Sequence, residues 1–256
     1  MKIQVISDLH QEFGFRELSF SGADLIVFAG DTNLGIKGIE WIKARIKDVP
    51  VIYILGNHEY YKGAYPKTLN KIVAAAEGSN IHVLENKSLV IDDITFHGAT
   101  LWTNFELFGN PRVSGSFCQG QMNDYRMIRK EPSYSKLRSV DTYNIHQASM
   151  KWLEQSLAES LTPYNIVVTH HAPSARSIPD VYRDDLVSAA YTSNLEYFIT
   201  KHQPDYWVHG HIHQPSRYTI GKTVILCNPH GYIHDRDLGF DPKLMIDVPD
   251  GLKNRC

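Results

Sequence analysis

Cysteine is scarce in this chain: Cys118, Cys227 and Cys256 are the only three among 256 residues, and their spacings are unrelated. An odd, irregular set argues against a disulfide framework and for a reducing compartment, which points to the cytoplasm. Long apolar runs are missing as well. No stretch approaches the ~18 residues of a membrane-spanning helix, and the opening Met-Lys-Ile-Gln-Val-Ile-Ser is too short to be a secretion signal, so no membrane partner is expected. Nor is there an excess of charge of one sign. Lysine and arginine number 26 against 28 aspartate and glutamate, a formal net charge of -2, which supplies no global basic field for nucleic acid or anionic lipid. Any polyanion must then be recognised locally. There is no internal repeat and no low-complexity tract.

Histidine, by contrast, is abundant. The chain has 13, and because imidazole is the commonest metal ligand, their positions matter. A hydrophobic content of 43% over this length is enough for one large core, so a single domain over 1–256 is expected.

Short, β-branched apolar runs recur at 3–6, 25–29, 51–55, 166–169 and 206–208, each bounded by Gly, Asp, Asn or His, as buried strands are. Helical patterns alternate with them. Ile36, Ile39, Ile42 and Ile46 recur at three- and four-residue steps, and Pro66 opens and Gly78 closes a second helical stretch. Asp141 is placed to cap a third, which carries Ile145, Ala148, Trp152, Leu153 and Leu157 and has Pro163 beyond its end. This order predicts an α/β fold. Residues 88–91 with 95–101, and 217–220 with 223–227, read as antiparallel hairpins, so a mixed sheet or two sheets fit better than one parallel sheet. From about 102 to 138 the periodicity lapses, and this locally basic excursion reads as an irregular insertion, a functional lid or a solvated loop.

The residues that follow the apolar runs are chemically alike. After 3–6 comes Ser7-Asp8-Leu9-His10, after 25–29 Gly30-Asp31, and after 51–55 Gly56-Asn57-His58-Glu59. After 166–169 comes His170-His171, and after 206–208 His209-Gly210-His211-Ile212-His213. In open α/β sheets ligands bind beyond the carboxyl ends of strands, so these five ends can converge. Aspartate, asparagine and histidine without a thiolate suit Mn, Fe or Zn rather than a cysteine-built structural zinc site. Seven donors are too many for one tetrahedral ion; they suit two ions roughly 3.5–4 Å apart that share a carboxylate. Taken singly, Asp8, Asp31 and Asn57 have an ordinary explanation as strand-end turn residues.

In this order, D-L-H, G-D, G-N-H-E, a strand-terminal H and G-H-I-H resemble the metallophosphoesterase signature of the calcineurin-like superfamily, from Asp8 to His213. The resemblance implies a four-layer α-β-β-α sandwich of two mixed sheets, a cofactor of two divalent transition-metal ions (Mn, Fe or Zn), and phosphoester hydrolysis by hydroxide shared between them. It implies that Asp8, His10 and His213 hold the first ion, Asn57, His170 and His211 the second, and that Asp31 bridges the two. His58 is implied as the acid that protonates the leaving oxygen or as a donor to a phosphate oxygen, with Glu59 a candidate for fixing the local hydrogen bonds. The expected substrate is a small, nucleotide-like phosphomonoester or phosphodiester. Gly30-Asp31 continues as Thr-Asn-Leu-Gly, unlike the longer motif of the protein-phosphatase branch, and the near-neutral charge disfavours a nuclease acting on long duplex.

The remaining polar residues carry competing readings. A non-catalytic binding scaffold of the same fold is the rival class, disfavoured by the presence of His10 and His58; a metal-dependent amidohydrolase would carry an early H-x-H instead of D-x-H. Adjacent strand residues face opposite ways, and the family pattern takes His170 as the ligand, leaving His171 beside the site or toward substrate. His209 likewise drops behind His211 and His213. Asn228-Pro229-His230-Gly231-Tyr232 resembles a loop that many members carry, with histidine where arginine is commoner, and His230 is held as a substrate candidate. In the excursion, Asn123, Asp124, Tyr125, Arg126 and Arg129 either line the substrate pocket or belong to a solvated loop. His82, His97, His146, His202 and His234 read as surface or core residues, and Trp41, Trp152 and Trp207 as core.

Overall fold

The central strands are apolar on both faces because both faces are covered. In a computed structural model, which describes residues 1–15, 17–234 and 238–249, the amino-terminal half runs β1 (Lys2–Ile6), β2 (Leu25–Ala29), α1 (Lys37–Arg45), β3 (Val51–Ile54), α2 (Asn57–Tyr60), β4 (Ala64–Tyr65), α3 (Lys67–Ala76) and β5 (Ile81–Val83). A hairpin of β6 (Lys87–Ile91) and β7 (Ile94–Ala99) follows, then α4 (Pro111–Gln121), α5 (Asp124–Met127), β8 (Arg129–Lys130), β9 (Ser135–Lys136) and the long α6 (Ser139–Glu159). The remaining elements are β10 (Tyr164–Thr169), α7 (Glu196–His202), β11 (Tyr206–His209), β12 (Ser216–Ile220), β13 (Thr223–Cys227) and β14 (Met245–Asp247).

Two mixed sheets result. The first has the order β14-β1-β2-β3-β5, parallel except for β14; the second has the order β12-β13-β11-β10-β7-β6, parallel except for the two outer hairpin strands. A small third sheet, β4-β8-β9, pairs β4 with the two short strands of the excursion. Alternation along each strand decides the layers. Leu25, Val27 and Ala29 of β2 pack with Ile166 and Val168 of β10 and Val208 of β11, between the sheets. Ile26 and Phe28 point the other way, onto Ile39 and Ile42 of α1 and Ile72 of α3. On the far side Val167 and Trp207 meet Leu153 of α6 and Ile199 of α7. The arrangement is a four-layer α-β-β-α sandwich, in which each fully buried aliphatic side chain contributes about 1.5–3 kcal/mol. Both expected hairpins form. Trp41 and Trp207 are buried and Trp152 half-buried against the far cluster.

The excursion departs from the sequence reading, because residues 102–138 are not irregular. They carry α4, started by Asn110, whose side chain accepts from the Val113 amide, with proline in the first turn. Phe105, Cys118, Met122, Tyr125, Ile128 and Leu137 are buried in the same cluster as α1 and α3, so this segment roofs one end of the first sheet's outer layer. Asp141 is also placed differently from the cap expected of it. It lies three residues inside α6 and reaches back, its carboxylate accepting from the Arg138 amide at 3.0 Å and pairing with Lys130 at 2.6 Å. Cys118 and Cys227 are buried free thiols, and Cys256 lies outside the described residues. Among the described residues no helix is long and apolar enough to cross a membrane.

Candidate metal centre

The carboxyl ends of β1, β2 and β3 in one sheet and of β10 and β11 in the other meet at one edge of the sandwich, and the polar residues that follow them close into a single cluster. Asp8, His10, Asp31, Asn57, His170 and His211 are buried there, with His213 at its rim. Three groups of side chains have ligand atoms mutually within 4.8 Å: Asp8 with His10 and His213; Asp31 with His170 and His211; and His10 with Asp31 and His58. The structure therefore brings all seven expected ligands to one place. Asn57 joins through its Oδ1, 3.0 Å from His170 Nε2.

Hydrogen bonds fix which atom of each side chain faces inward. His170 Nδ1 donates to the Ala29 carbonyl at 2.9 Å, which turns Nε2 toward Asn57 Oδ1, Asp31 Oδ2 (3.4 Å) and His211 Nδ1 (3.2 Å). His10 Nε2 lies 3.0 Å from His213 Nε2 and 3.6 Å from Asp31 Oδ2. Asp8 accepts the His211 amide on both oxygens, at 2.9 and 3.1 Å. Asn57 is oriented by its other end, Nδ2 donating to Tyr61 Oη at 3.1 Å and to Asp124 Oδ1 at 2.9 Å.

The backbone is bent to achieve this. Asp8, His10, Asp31 and His211 all have φ between 45° and 66°, a left-handed conformation that costs a residue with a Cβ about 1 kcal/mol. Glycine is required at two neighbouring points. A Cβ on Gly30, itself at φ +90, would come within 2.3 Å of His170 Nδ1, and one on Gly56 within 2.1 Å of Asp31 Oδ1. The Glu59 carboxylate then ties the two loops together. Its oxygens accept the amides of Asp31 (2.9 Å), Thr32 (2.8 Å) and Gly56 (2.7 Å), and the Tyr53 hydroxyl (2.8 Å).

Electrostatically the cluster calls for positive charge. Burial alone would raise the carboxyls of Asp8 and Asp31, but the surrounding imidazoles reverse the sign and hold both below the ordinary range, Asp31 well below. Burial also opposes charging of His170 and His58; Asp31, joined by Asp8 for His170 and by Glu12 for His58, overcomes it and lifts them to about 10 and about 9. Burial and the proximity of Asp31 push Glu59 up to about 7. With no thiolate, and with imidazole nitrogens and an amide oxygen converging at about 3 Å, the donor set fits divalent transition metals.

Some of the expected neighbours lie elsewhere. Asn123 and Arg126 are exposed, the Arg126 guanidinium donating to the Gly120 carbonyl at 2.6 Å, and neither is brought to the cluster. Asp124, between them, is the residue of that segment that points in. The His230 ring packs on Phe240 at 5.2 Å, while its backbone amide and that of Gly231 donate to the Ser7 and Asp8 carbonyls and so brace the first ligand loop. His171 is buried against His211 and Trp102, and burial with the nearby His170 lowers it to about 3. His209 is buried behind the ligands, its Nδ1 donating to the Gly210 carbonyl and its Nε2 accepting from Ser177 Oγ at 2.9 Å.

Glu12 was not singled out by sequence reasoning. Its Oε1 accepts from His58 Nδ1 at 2.6 Å and from His10 Nδ1 at 3.2 Å, so one buried carboxylate orients an expected ligand and the expected acid together. Tyr61, which stacks on His58 at 4.2 Å, and Tyr191, which stacks on His211 at 4.6 Å, were also missed. Nothing in their spacing announces them; only the folded chain brings them near.

The profile described as calcineurin-like phosphoesterase matches residues 1–215. A related protein, the uncharacterized protein L509 of Acanthamoeba polyphaga mimivirus, is 29% identical over 214 residues that cover 77% of this chain and 73% of that one. The phosphopantetheinyl hydrolase PptH of Mycobacterium tuberculosis has a similar structure, with a TM-score of 0.70 at 15% identity over 90% of this chain and 89% of that one. GAP50, the anchor in the inner membrane complex of Plasmodium, is similar with a TM-score of 0.50 at 13% identity over 96% and 77%. At such identities the two structures share the fold.

Proposed function

Since the chain belongs to the calcineurin-like phosphoesterase family, we propose that it hydrolyses phosphomonoesters or phosphodiesters of small, nucleotide-like molecules at a site holding two divalent transition-metal ions. Asp8, His10 and His213 would hold one ion, Asn57, His170 and His211 the other, with Asp31 shared. One observation carries the reading: a single oxygen, Asp31 Oδ2, lies 3.6 Å from His10 Nε2 and 3.4 Å from His170 Nε2, between the two ligand groups. When bound, such ions lower the pKa of water to about 7 and offset the charge of the phosphate oxygens.

The chain's own residues do the rest. Glu12 accepts the proton on His58 Nδ1, which leaves the His58 Nε2 edge toward Asp31, at 3.9 Å, where the ester would sit. As hydroxide, formed when the water gives up one proton to bulk solvent, adds to phosphorus and the bond to the leaving oxygen breaks, His58 Nε2 passes its proton to that oxygen, the alcohol departs neutral, and His58 regains a proton from solvent. Glu59 and Asp124 hold the loops of Asp31 and Asn57 in register. The buried free thiols of Cys118 and Cys227 are compatible with a reducing, cytoplasmic setting.

The test is turnover of p-nitrophenyl phosphate and bis(p-nitrophenyl) phosphate. Chelated protein should be inactive, and titration with Mn, Fe or Zn should restore hydrolysis, saturating near two equivalents per chain. Full metal occupancy with no turnover of either ester would instead favour a binding scaffold. Within the same measurement, His209→Ala is expected to leave both ions bound and to weaken metal affinity only modestly, because His209 bonds Gly210 and Ser177 and no proposed ligand. His211→Ala and His213→Ala should each cost an ion; equal occupancy in all three variants would break the distinction drawn between them.

A further inference from the structure

Aromatic rings pack around His10, His58 and His213 at the cluster. Phe13 ends the short turn Gln11–Phe13 that follows His10. Its ring centroid lies 6.4 Å from that of His58 and 5.2 Å from that of Tyr232, with an interplanar angle of 88° to the latter. Tyr232 in turn packs at 4.5 Å from His10 and 4.7 Å from His213. Phe13 nevertheless remains 53% exposed, and among the described residues it belongs to none of the buried apolar clusters. The position is built. Gly14 has φ +151, and a Cβ there would come within 2.5 Å of Ile233 Cδ1, so the turn is seated on the residue next to Tyr232. Phe15, beyond that glycine, is 65% exposed.

A half-exposed phenyl ring forgoes much of its hydrophobic burial, and one left exposed in contact with the rings of a buried polar cluster is placed to meet a ligand there. Two rings set perpendicular make a corner in which a flat group stacks on one face while its edge meets the other ring. Neither alkyl chains nor the bare phosphate would need such a corner. We propose that Phe13 and Tyr232 form a subsite for a planar aromatic leaving group, an aryl or nucleobase-bearing alcohol, on the ester that His58 protonates. This rests on the phosphoesterase reading above and names the part of the substrate that the chain selects.

The experiment uses the metal-loaded full chain and two matched pairs of probes. Benzyl phosphate and n-propyl phosphate have alcohols of similar leaving ability and differ in the flat ring; benzylphosphonate and n-propylphosphonate report binding by calorimetry without turnover. Benzyl is expected to be favoured about tenfold in kcat/KM and in Kd, the scale of one stacked ring. Phe13→Ala and Phe13→Leu should erase most of that ratio and Phe13→Trp should keep it, which separates a flat face from mere apolar bulk. Turnover of both esters without a benzyl preference, or with one that Phe13→Ala leaves intact, overturns the subsite and leaves hydrolysis standing. A Phe13-dependent benzylphosphonate preference with no turnover of either ester upholds the subsite and overturns hydrolysis. Failure of both measurements overturns both.

Discussion

Asp31→Asn is expected to lower turnover by the metal-loaded protein about a thousandfold or more, which corresponds to about 4 kcal/mol of lost transition-state stabilisation, and to reduce bound metal from two ions to one. The variant should still fold. An asparagine Oδ1 can keep accepting the His58 amide, which Asp31 Oδ1 does at 2.8 Å, and the Asp31 amide bond to Glu59 involves backbone. What is lost is the negative charge of Oδ2, the one atom poised between His10 and His170. Metal analysis and steady-state rates on the same sample make the check. Two ions still bound, with a rate within tenfold of the parent, would remove Asp31 from the shared position.

His58→Ala should behave in the opposite way, keeping its metal while losing about a hundred- to ten-thousandfold in kcat, the usual worth of a positioned proton donor. The loss should depend on the ester. A nitrophenolate departs readily without a proton, so the defect should be smallest on p-nitrophenyl phosphate and largest on an alkyl phosphate. Glu12→Gln removes the charge that holds His58 at 2.6 Å while leaving a side chain of the same length, and a smaller defect with the same dependence on the leaving group is expected. A uniform loss across esters would assign His58 to ground-state binding of phosphate instead, and a Glu12→Gln effect without that dependence would mark a purely structural carboxylate.

How much of this was legible beforehand depended on distance along the chain. The central strands announce themselves because they are buried on both faces and read as unbroken apolar runs, and the polar residue that ends each run is where a parallel strand places its chemistry. The order of layers follows from the same alternation, as Ile26 and Val27 illustrate by facing different clusters. Partners supplied by distant loops were illegible. Glu12 and His58 are 46 residues apart, and Asn57 and Asp124 are 67 apart, with no spacing rule to connect them. The helix α4 was hidden for a local reason. Pro111-Arg-Val-Ser-Gly-Ser-Phe-Cys-Gln-Gly-Gln121 contains two glycines, two serines and no regular apolar stripe, and only the Asn-Pro start, a cap followed by proline in the first turn, marked it. Asn123 and Arg126 drew attention for their chemistry, yet the turn of α5 sends Asp124 inward and leaves both at the surface.

The left-handed backbone at Asp8, His10, Asp31 and His211 sets stability and chemistry against each other at the same four Cα atoms. Glycine reaches this region freely, but at Asp8 and Asp31 it would also leave the His211 and His58 amides without their acceptors, so the side chains there trade local strain against hydrogen bonds as well as chemistry. Proteins accumulate changes until stability falls near a threshold, and sites that hold strained side chains are the first places where stabilising changes become available. The side chains of Asp8, His10, Asp31 and His211 are therefore held where they are against local conformational strain, as the proposed metal site would require of them.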